Sequence, residues 1–200
     1  DIDTMINLLK SLGSEIKFSN NKKIVKITKK KKQNYLATYS LVRTMRAGIL
    51  VLGALVAKHQ KSITSLPGGC LIGARPVNYH LNALKKLGMR YEIKKGYIHA
   101  NTKGKLKGAK IRFSKISVGA TENTIIAASL ANGITILRNA AIEPEIIDLI
   151  NFLKSGGAKI KFIGKRTLKI EGINSLESTS YSVMSDRIET GTFCVAACLT

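Results

Sequence analysis

The sequence predicts an α/β fold of repeated βαβαββ units. The chain holds the tail of one unit, two nearly whole units and the head of another. Three observations lead there. An internal repeat aligns on Gly13, Gly88 and Gly157. Two helical stretches rich in Ala and Gly have no polar face. A proline, Pro76 or Pro144, opens the helix that follows each of them.

The repeat comes first in chain order. Four residues before each glycine stands a leucine (Leu9, Leu84, Leu153), followed by a lysine (Lys10, Lys85, Lys154). Seven before stand Ile6, Leu81 and Ile150. Three after stand Ile16, Tyr91 and Ile160, and five after stand Phe18, Ile93 and Phe162. Positions −7 and −4 share a helical face, whereas +3 and +5 share a strand face. Glycine between them stops the helix, because it takes a positive φ without steric cost. Each unit therefore ends as helix, glycine, strand, tight turn, strand, with turns near Asn20–Asn21, Lys95–Gly96 and Gly164–Lys165.

The apolar helices span Thr44–Ala57 and Thr121–Ala131, and Ile188–Leu199 starts another. With no polar face, such a helix is expected to be covered all round. Short strands follow at Ser62–Leu66 and Ile134–Leu137, then loops, then helices whose missing proline N–H costs nothing in the first turn. Repeat spacings of 75 and 69 residues are too long for a solenoid. The expected layout is most of one domain in residues 1–180, with a crossover and the start of a second in 181–200.

Composition excludes several classes. The longest apolar run, Ala47–Ala57, is 11 residues, and a bilayer span needs roughly 20. No signal peptide precedes the first residues, and three cysteines make no disulfide framework, so a reducing, cytoplasmic setting is expected. Starting at Asp1 and stopping at Thr200 inside a helix suggests a segment of something longer, with an uncovered apolar face. Cys194 and Cys198 lie four apart on the last apolar helix without His or acidic neighbours. They are expected in the core, and no metal is expected.

Charge leaves alternatives open. The formal net charge is +21, from 33 Lys+Arg against 12 Asp+Glu, and Lys22–Lys32 holds seven lysines in eleven residues. A basic RNA- or ribosome-associated module is one reading. Against it, 25 of the cations are Lys, aromatics are 6%, and Lys alternates with Ile24, Val25 and Ile27 as in a solvated hairpin. No nucleic acid and no membrane partner is therefore expected.

The repeat breaks at one loop. Thr64 to Pro76 is twelve positions, while Thr135 to Pro144 is nine. The longer loop, Leu66-Pro67-Gly68-Gly69-Cys70-Leu71-Ile72-Gly73-Ala74-Arg75-Pro76, sets three glycines around a cysteine. It is either a surface loop with an incidental thiol or a closing loop whose cationic neighbour favours a thiolate.

The stretch Pro67-Gly68-Gly69-Cys70-x-Ile72-Gly73-x-Arg75-Pro76-Val77-x-x-His80 resembles the active-site loop of the UDP-N-acetylglucosamine enolpyruvyl transferase family. Further similar segments follow in order: Arg43-Thr44-Met45-Arg46-Ala47, Lys115-x-Ser117-Val118-Gly119-Ala120-Thr121, Glu143-Pro144-Glu145, and Ser185 to Phe193. The resemblance implies an incomplete inside-out α/β barrel of the predicted units. It also implies transfer of an enolpyruvyl group from phosphoenolpyruvate to the 3-hydroxyl of the nucleotide sugar, with release of phosphate and no cofactor.

In that resemblance Cys70 is the proton donor, able to form a phospholactoyl adduct and to react with fosfomycin. Arg46 and Arg75 correspond to the cations at the two substrate sites. Pro76, Val77, Asn78, Tyr79 and His80 continue the sugar-nucleotide contact at a helix start. Lys115, Ser117, Val118 and Gly119 match the diphosphate- and uridine-contacting turn, and Glu143 and Glu145 match residues near the sugar. The family usually has Asp-Leu where this chain has Asn78-Tyr79, and Pro where it has Ser185. Without the family, His80 reads as structural and the glutamates as first-turn acids at a helix dipole. The partners implied are the two substrates and the remainder of the chain. By itself the segment is expected to be inactive, and a split or degenerate half-enzyme is the other reading.

Overall fold

The computed structural model describes residues 1–29, 34–68 and 77–200. Two units follow the expected order. The first runs β3 (Leu36–Ala37), the short helix α2 (Tyr39–Val42), a 3-10 turn (Arg46–Ile49), α3 (Leu50–His59), β4 (Lys61–Ser65), α4 (Asn78–Lys86), β5 (Arg90–Lys94) and β6 (Tyr97–Asn101). The second runs β7 (Lys110–Arg112), α5 (Val118–Ala128), β8 (Ile134–Arg138), α6 (Pro144–Ser155), β9 (Lys159–Gly164) and β10 (Thr167–Glu171). Before them lie α1 (Ile2–Ser11), β1 (Ser14–Ser19) and β2 (Ile24–Lys29), and after them α7 (Arg187–Leu199).

The two sheets have one topology. Their orders are β3-β4-β6-β5 and β7-β8-β10-β9, with the first pair parallel and the other two antiparallel. One face of each sheet is buried, through Ile98 and Ala100 on β6 and Leu168 and Ile170 on β10. Helices α3 and α5 pack on one another at the centre, and the main core runs between them and both sheets. A smaller core joins Leu8 and Leu12 to Val42, Met45, Val51 and Leu55.

The glycine repeat is realised at each helix end. Gly13, Gly88 and Gly157 take φ of 96°, 102° and 93°. Each donates its N–H to the carbonyl of the lysine three residues back, at 2.9–3.0 Å. Met89 N also reaches Leu84 O, and Ala158 N reaches Leu153 O, at 3.0 Å, which satisfies carbonyls the helix leaves open. The +5 residues Phe18, Ile93 and Phe162 are exposed, because β5 and β9 are edge strands and β1 pairs only with β2.

Several details differ from the expectation. Lys95 and Gly96 form the β5–β6 turn, both at positive φ, which matches the strand twist. The third turn is Lys165–Arg166, one residue later than expected; neither takes a positive φ, and the register slips between Thr167 and Leu168. The helix expected over Thr44–Ala57 divides into the 3-10 turn and α3. Helix α5 starts at Val118 rather than Thr121, because Ser117 Oγ accepts from Ala120 N at 3.3 Å and caps it.

Helix α7 corrects the expectation of an all-round cover. All of its residues are exposed, Phe193 at 69% and Val195 at 61%. Cys194 and Cys198 are therefore exposed, not core. The segment leading to α7 lies along α6: Glu177 N reaches Gly156 O at 2.9 Å, Thr179 Oγ1 reaches Ser155 Oγ at 3.0 Å, and Tyr181 Oη reaches Asp148 Oδ1 at 2.9 Å. The β1–β2 hairpin also shows apolar side chains, Ile24 and Ile27 among them. No helix among the described residues is long and apolar enough to cross a membrane.

Candidate active site

The first turns of α4 and α5 meet at His80 and Gly119, with Arg46 of the 3-10 turn near the imidazole and the loop before α6 bonded to α5. On α5, Ser117 O accepts from Thr121 Oγ1 at 2.7 Å, and that hydroxyl accepts from Ala141 N at 3.1 Å. The Ser117-Val118-Gly119 turn is thereby tied to the loop before α6. On α4, His80 is buried and turns its Cε1–Nε2 edge to Gly119; a Cβ there would lie 3.3 Å from Cε1. Arg46 stands close enough for its charge to act on the imidazole. Burial, with the Arg46 charge added, holds His80 down at about 4.

Open N–H groups at helix starts carry partial positive charge, so this gathering favours an anion. Half-buried Arg46 adds a full charge at the same place. Lys115 is exposed two residues before the α5 cap, and Val118 and Gly119 are half-buried.

The acidic residues lie at the α5–α6 side. Glu143 Oε2 accepts from Ile142 N at 2.7 Å, at the start of α6. Glu145 holds Arg187 at the start of α7 through two bonds, Nε to Oε2 at 3.0 Å and Nη2 to Oε1 at 2.9 Å. That pairing keeps the Glu145 carboxyl below the usual range. Glu122, one turn into α5, is raised above it by burial and by the nearby Glu145 charge. The two carboxyls are thus pushed in opposite directions.

Tyr79 faces elsewhere on α4. Its ring meets Phe113 edge-on at 6.5 Å and 82°, and both line a groove of about 410 Å³ with Asn82, Lys85, Lys86 and Arg112. Asn78, exposed, accepts from Tyr79 N, and Val77 packs on the core. Cys70, Arg75 and Pro76 lie outside the described residues. The start of their loop is placed by Gly68, where a Cβ would lie 2.8 Å from Arg43 O, in the segment that leads to Arg46.

The structure brings together Arg46, His80 and Gly119, with Ser117 and Val118 at the same turn, and sets Glu143 and Glu145 on the adjoining helix. Sequence reasoning did not single out Asn123 or Glu122, and took Arg187 only as part of the Ser185 to Phe193 segment. Asn123 is the one amide on α5, between Glu122 and Thr124, and that was the available signal. Among the described residues, no group of three or more His, Cys, Asp or Glu is placed to hold a metal.

Paired βαβαββ units of one sheet topology are an enolpyruvyl-transferase type of fold. Solved structures agree: the enolpyruvyl transferase NikO from Streptomyces tendae superposes with a TM-score of 0.79 at 17% identity, over 97% of this chain and 46% of that one. EPSP synthase from Acinetobacter baumannii gives 0.74 at 17%, over 98% and 44%. The chain belongs to the EPSP synthase (3-phosphoshikimate 1-carboxyvinyltransferase) family, whose model matches residues 1–200. It is 60% identical over its 200 residues to UDP-N-acetylglucosamine 1-carboxyvinyltransferase of Pelagibacter ubique (strain HTCC1062), covering 48% of that protein. Its identity to the enzyme of the same name from Shewanella amazonensis (strain ATCC BAA-1098 / SB2B) is 51%, covering 47%. The chain thus spans about half the length of these relatives.

Proposed function

We propose that this chain is part of a cytoplasmic enzyme that transfers an enolpyruvyl group from phosphoenolpyruvate to the 3-hydroxyl of UDP-N-acetylglucosamine, for peptidoglycan synthesis. The observation that carries the reading is 51–60% identity, across every residue, to relatives of that name. The Cys70 loop and the Ser117-Val118-Gly119 turn support the choice of acceptor within the family.

The chemistry is addition and then elimination. The Cys70 thiol protonates C3 of phosphoenolpyruvate while the sugar hydroxyl adds at C2 and gives up its proton to a base in the remainder of the protein, leaving a tetrahedral intermediate that still carries phosphate. Loss of a proton from C3 and of inorganic phosphate restores the vinyl ether. A thiol of tunable acidity suits the first proton transfer. Arg75 and Arg46 meet the phosphate and carboxylate charges, with forks that bond two oxygens at once. By the resemblance Pro76, Val77, Asn78 and His80 contact the nucleotide together with Lys115 to Gly119, while the Tyr79 ring is taken up by Phe113. Glu143 and Glu145 lie toward the sugar.

Residues 1–180 supply most of one domain and 181–200 lead to the next, so the site is completed by the rest of the protein and the segment alone does not turn over. Fosfomycin treatment of the full-length protein tests the assignment. One adduct on Cys70, located by peptide mass spectrometry and prevented by Cys70→Ala, is expected. An unmodified Cys70 under conditions of turnover would refute its role.

A further inference from the structure

The side chain of Asn123 is fully buried and joins three helical segments. Its Oδ1 accepts from Gly53 N at 2.9 Å, and its Nδ2 donates to Ile49 O at 3.1 Å. Ile49 and Gly53 are four residues apart, so the carboxamide grips the acceptor and the donor of the first turn of α3. Those two bonds allow only one amide orientation, since a backbone N–H only donates and a carbonyl only accepts. The second Nδ2 hydrogen then faces His80 Nδ1 at 3.1 Å. That nitrogen must accept, so the ring proton resides on Nε2, at the edge turned to Gly119.

We infer that Asn123 is a positioning residue for the ligand end: it fixes His80 as the neutral Nε2–H tautomer and so presents a fixed hydrogen-bond donor to an anionic group of the nucleotide sugar beside Gly119. The inference rests on the enolpyruvyl-transferase reading given above. Protonating Nδ1 would set an N–H against the Asn123 NH₂, so the interface itself selects the neutral ring. Burial and Arg46 act in the same direction, and the depressed pKa of His80 agrees with both. Of the other charged groups, Glu122 lies beyond Gly119, its Oε2 4.0 Å from where a Cβ would stand. An ordinary structural histidine needs only to fill its space. Here the amide, the two backbone groups of α3 and the ring form one chain of directed bonds with a single consistent proton arrangement.

The test uses the full-length protein labelled with ¹⁵N-histidine, with His80 assigned by difference against His80→Gln. Nδ1 should stay pyridine-like and Nε2 pyrrole-like from about pH 8 down to about pH 5, below the ordinary histidine value. A proton on Nδ1, or titration near the ordinary value, would overturn the inference. Asn123→Asp cannot donate and accepts instead, so the ring proton of His80 should move from Nε2 to Nδ1, leaving no donor at Nε2, and UDP-N-acetylglucosamine affinity should fall about tenfold in calorimetry. Wild-type affinity in a variant whose tautomer has switched would also overturn it. If Asn123→Asp does not fold, the wild-type tautomer decides alone. A wild-type protein that shows the expected tautomer but neither binds nor uses UDP-N-acetylglucosamine would defeat the functional reading instead.

Discussion

Gly53 and Asn123 meet at the crossing of α3 and α5 with no room for a methyl group. A Cβ on Gly53 would collide with Asn123 Oδ1 and lie 2.8 Å from Asn123 O. The same approach lets Gly53 N donate to Oδ1. The closeness of the two central helices and the polar bond between them are therefore one feature.

Gly53→Ala tests that contact. In an open helix the change would stabilise by about 1 kcal/mol, from propensity. Here overpacking against a buried carboxamide should reverse the sign and destabilise by about 1–3 kcal/mol. Urea unfolding measures it, and a midpoint that rises would contradict the crossing described.

Acid should weaken the fold through His80. Its folded pKa of about 4 lies below the ordinary 6.5, so between those values the unfolded chain binds more protons. Stability is complete above about 6.5 and falls as pH drops to about 4, by about 3 kcal/mol in all. Glu122 acts in the opposite sense, since its raised carboxyl takes up a proton in the folded state first. His80→Gln removes only the histidine contribution. Its stability should vary less steeply with pH in that window, and an unchanged slope would contradict the assignment.

Ser117→Ala removes the side-chain cap of α5 and should cost about 1 kcal/mol by denaturant unfolding. The loss should appear with no change of fold by circular dichroism. An unaltered stability would mean that the Ser117 hydroxyl does not cap α5.

Glu145→Gln separates charge from packing at the α6–α7 junction. The Glu145–Arg187 pair is 36% and 46% exposed in its side chains, so its loss should cost under about 1 kcal/mol. Glu122 should respond more visibly, because the Glu145 charge helps to raise its carboxyl. Carboxyl-carbon NMR should find Glu122 titrating lower in the variant; no movement would show that burial alone raises it.

Much of this was legible in local sequence. The glycines at 13, 88 and 157 announce helix ends by conformational need, and the apolar spacing around them repeats with the fold. The two nearly whole units therefore follow the expected order, and Arg46 and Gly119 both lie beside His80. What stayed hidden depends on partners distant in sequence. An asparagine at position 123 reads as a minor blemish until α3 and α4 are known to face it. Ser117 reads as part of a turn until the chain beyond it is helical. Composition led to a buried α7, because apolar character states a need for cover without saying where the cover is.

The acceptor is the central claim, and full-length protein assayed for phosphate release measures it most directly. With phosphoenolpyruvate and UDP-N-acetylglucosamine, turnover is expected and should vanish in Cys70→Ala; with 3-phosphoshikimate as the acceptor, none is expected. Phosphate release with 3-phosphoshikimate and none with the nucleotide sugar would contradict the reading and move the protein to another branch of its family.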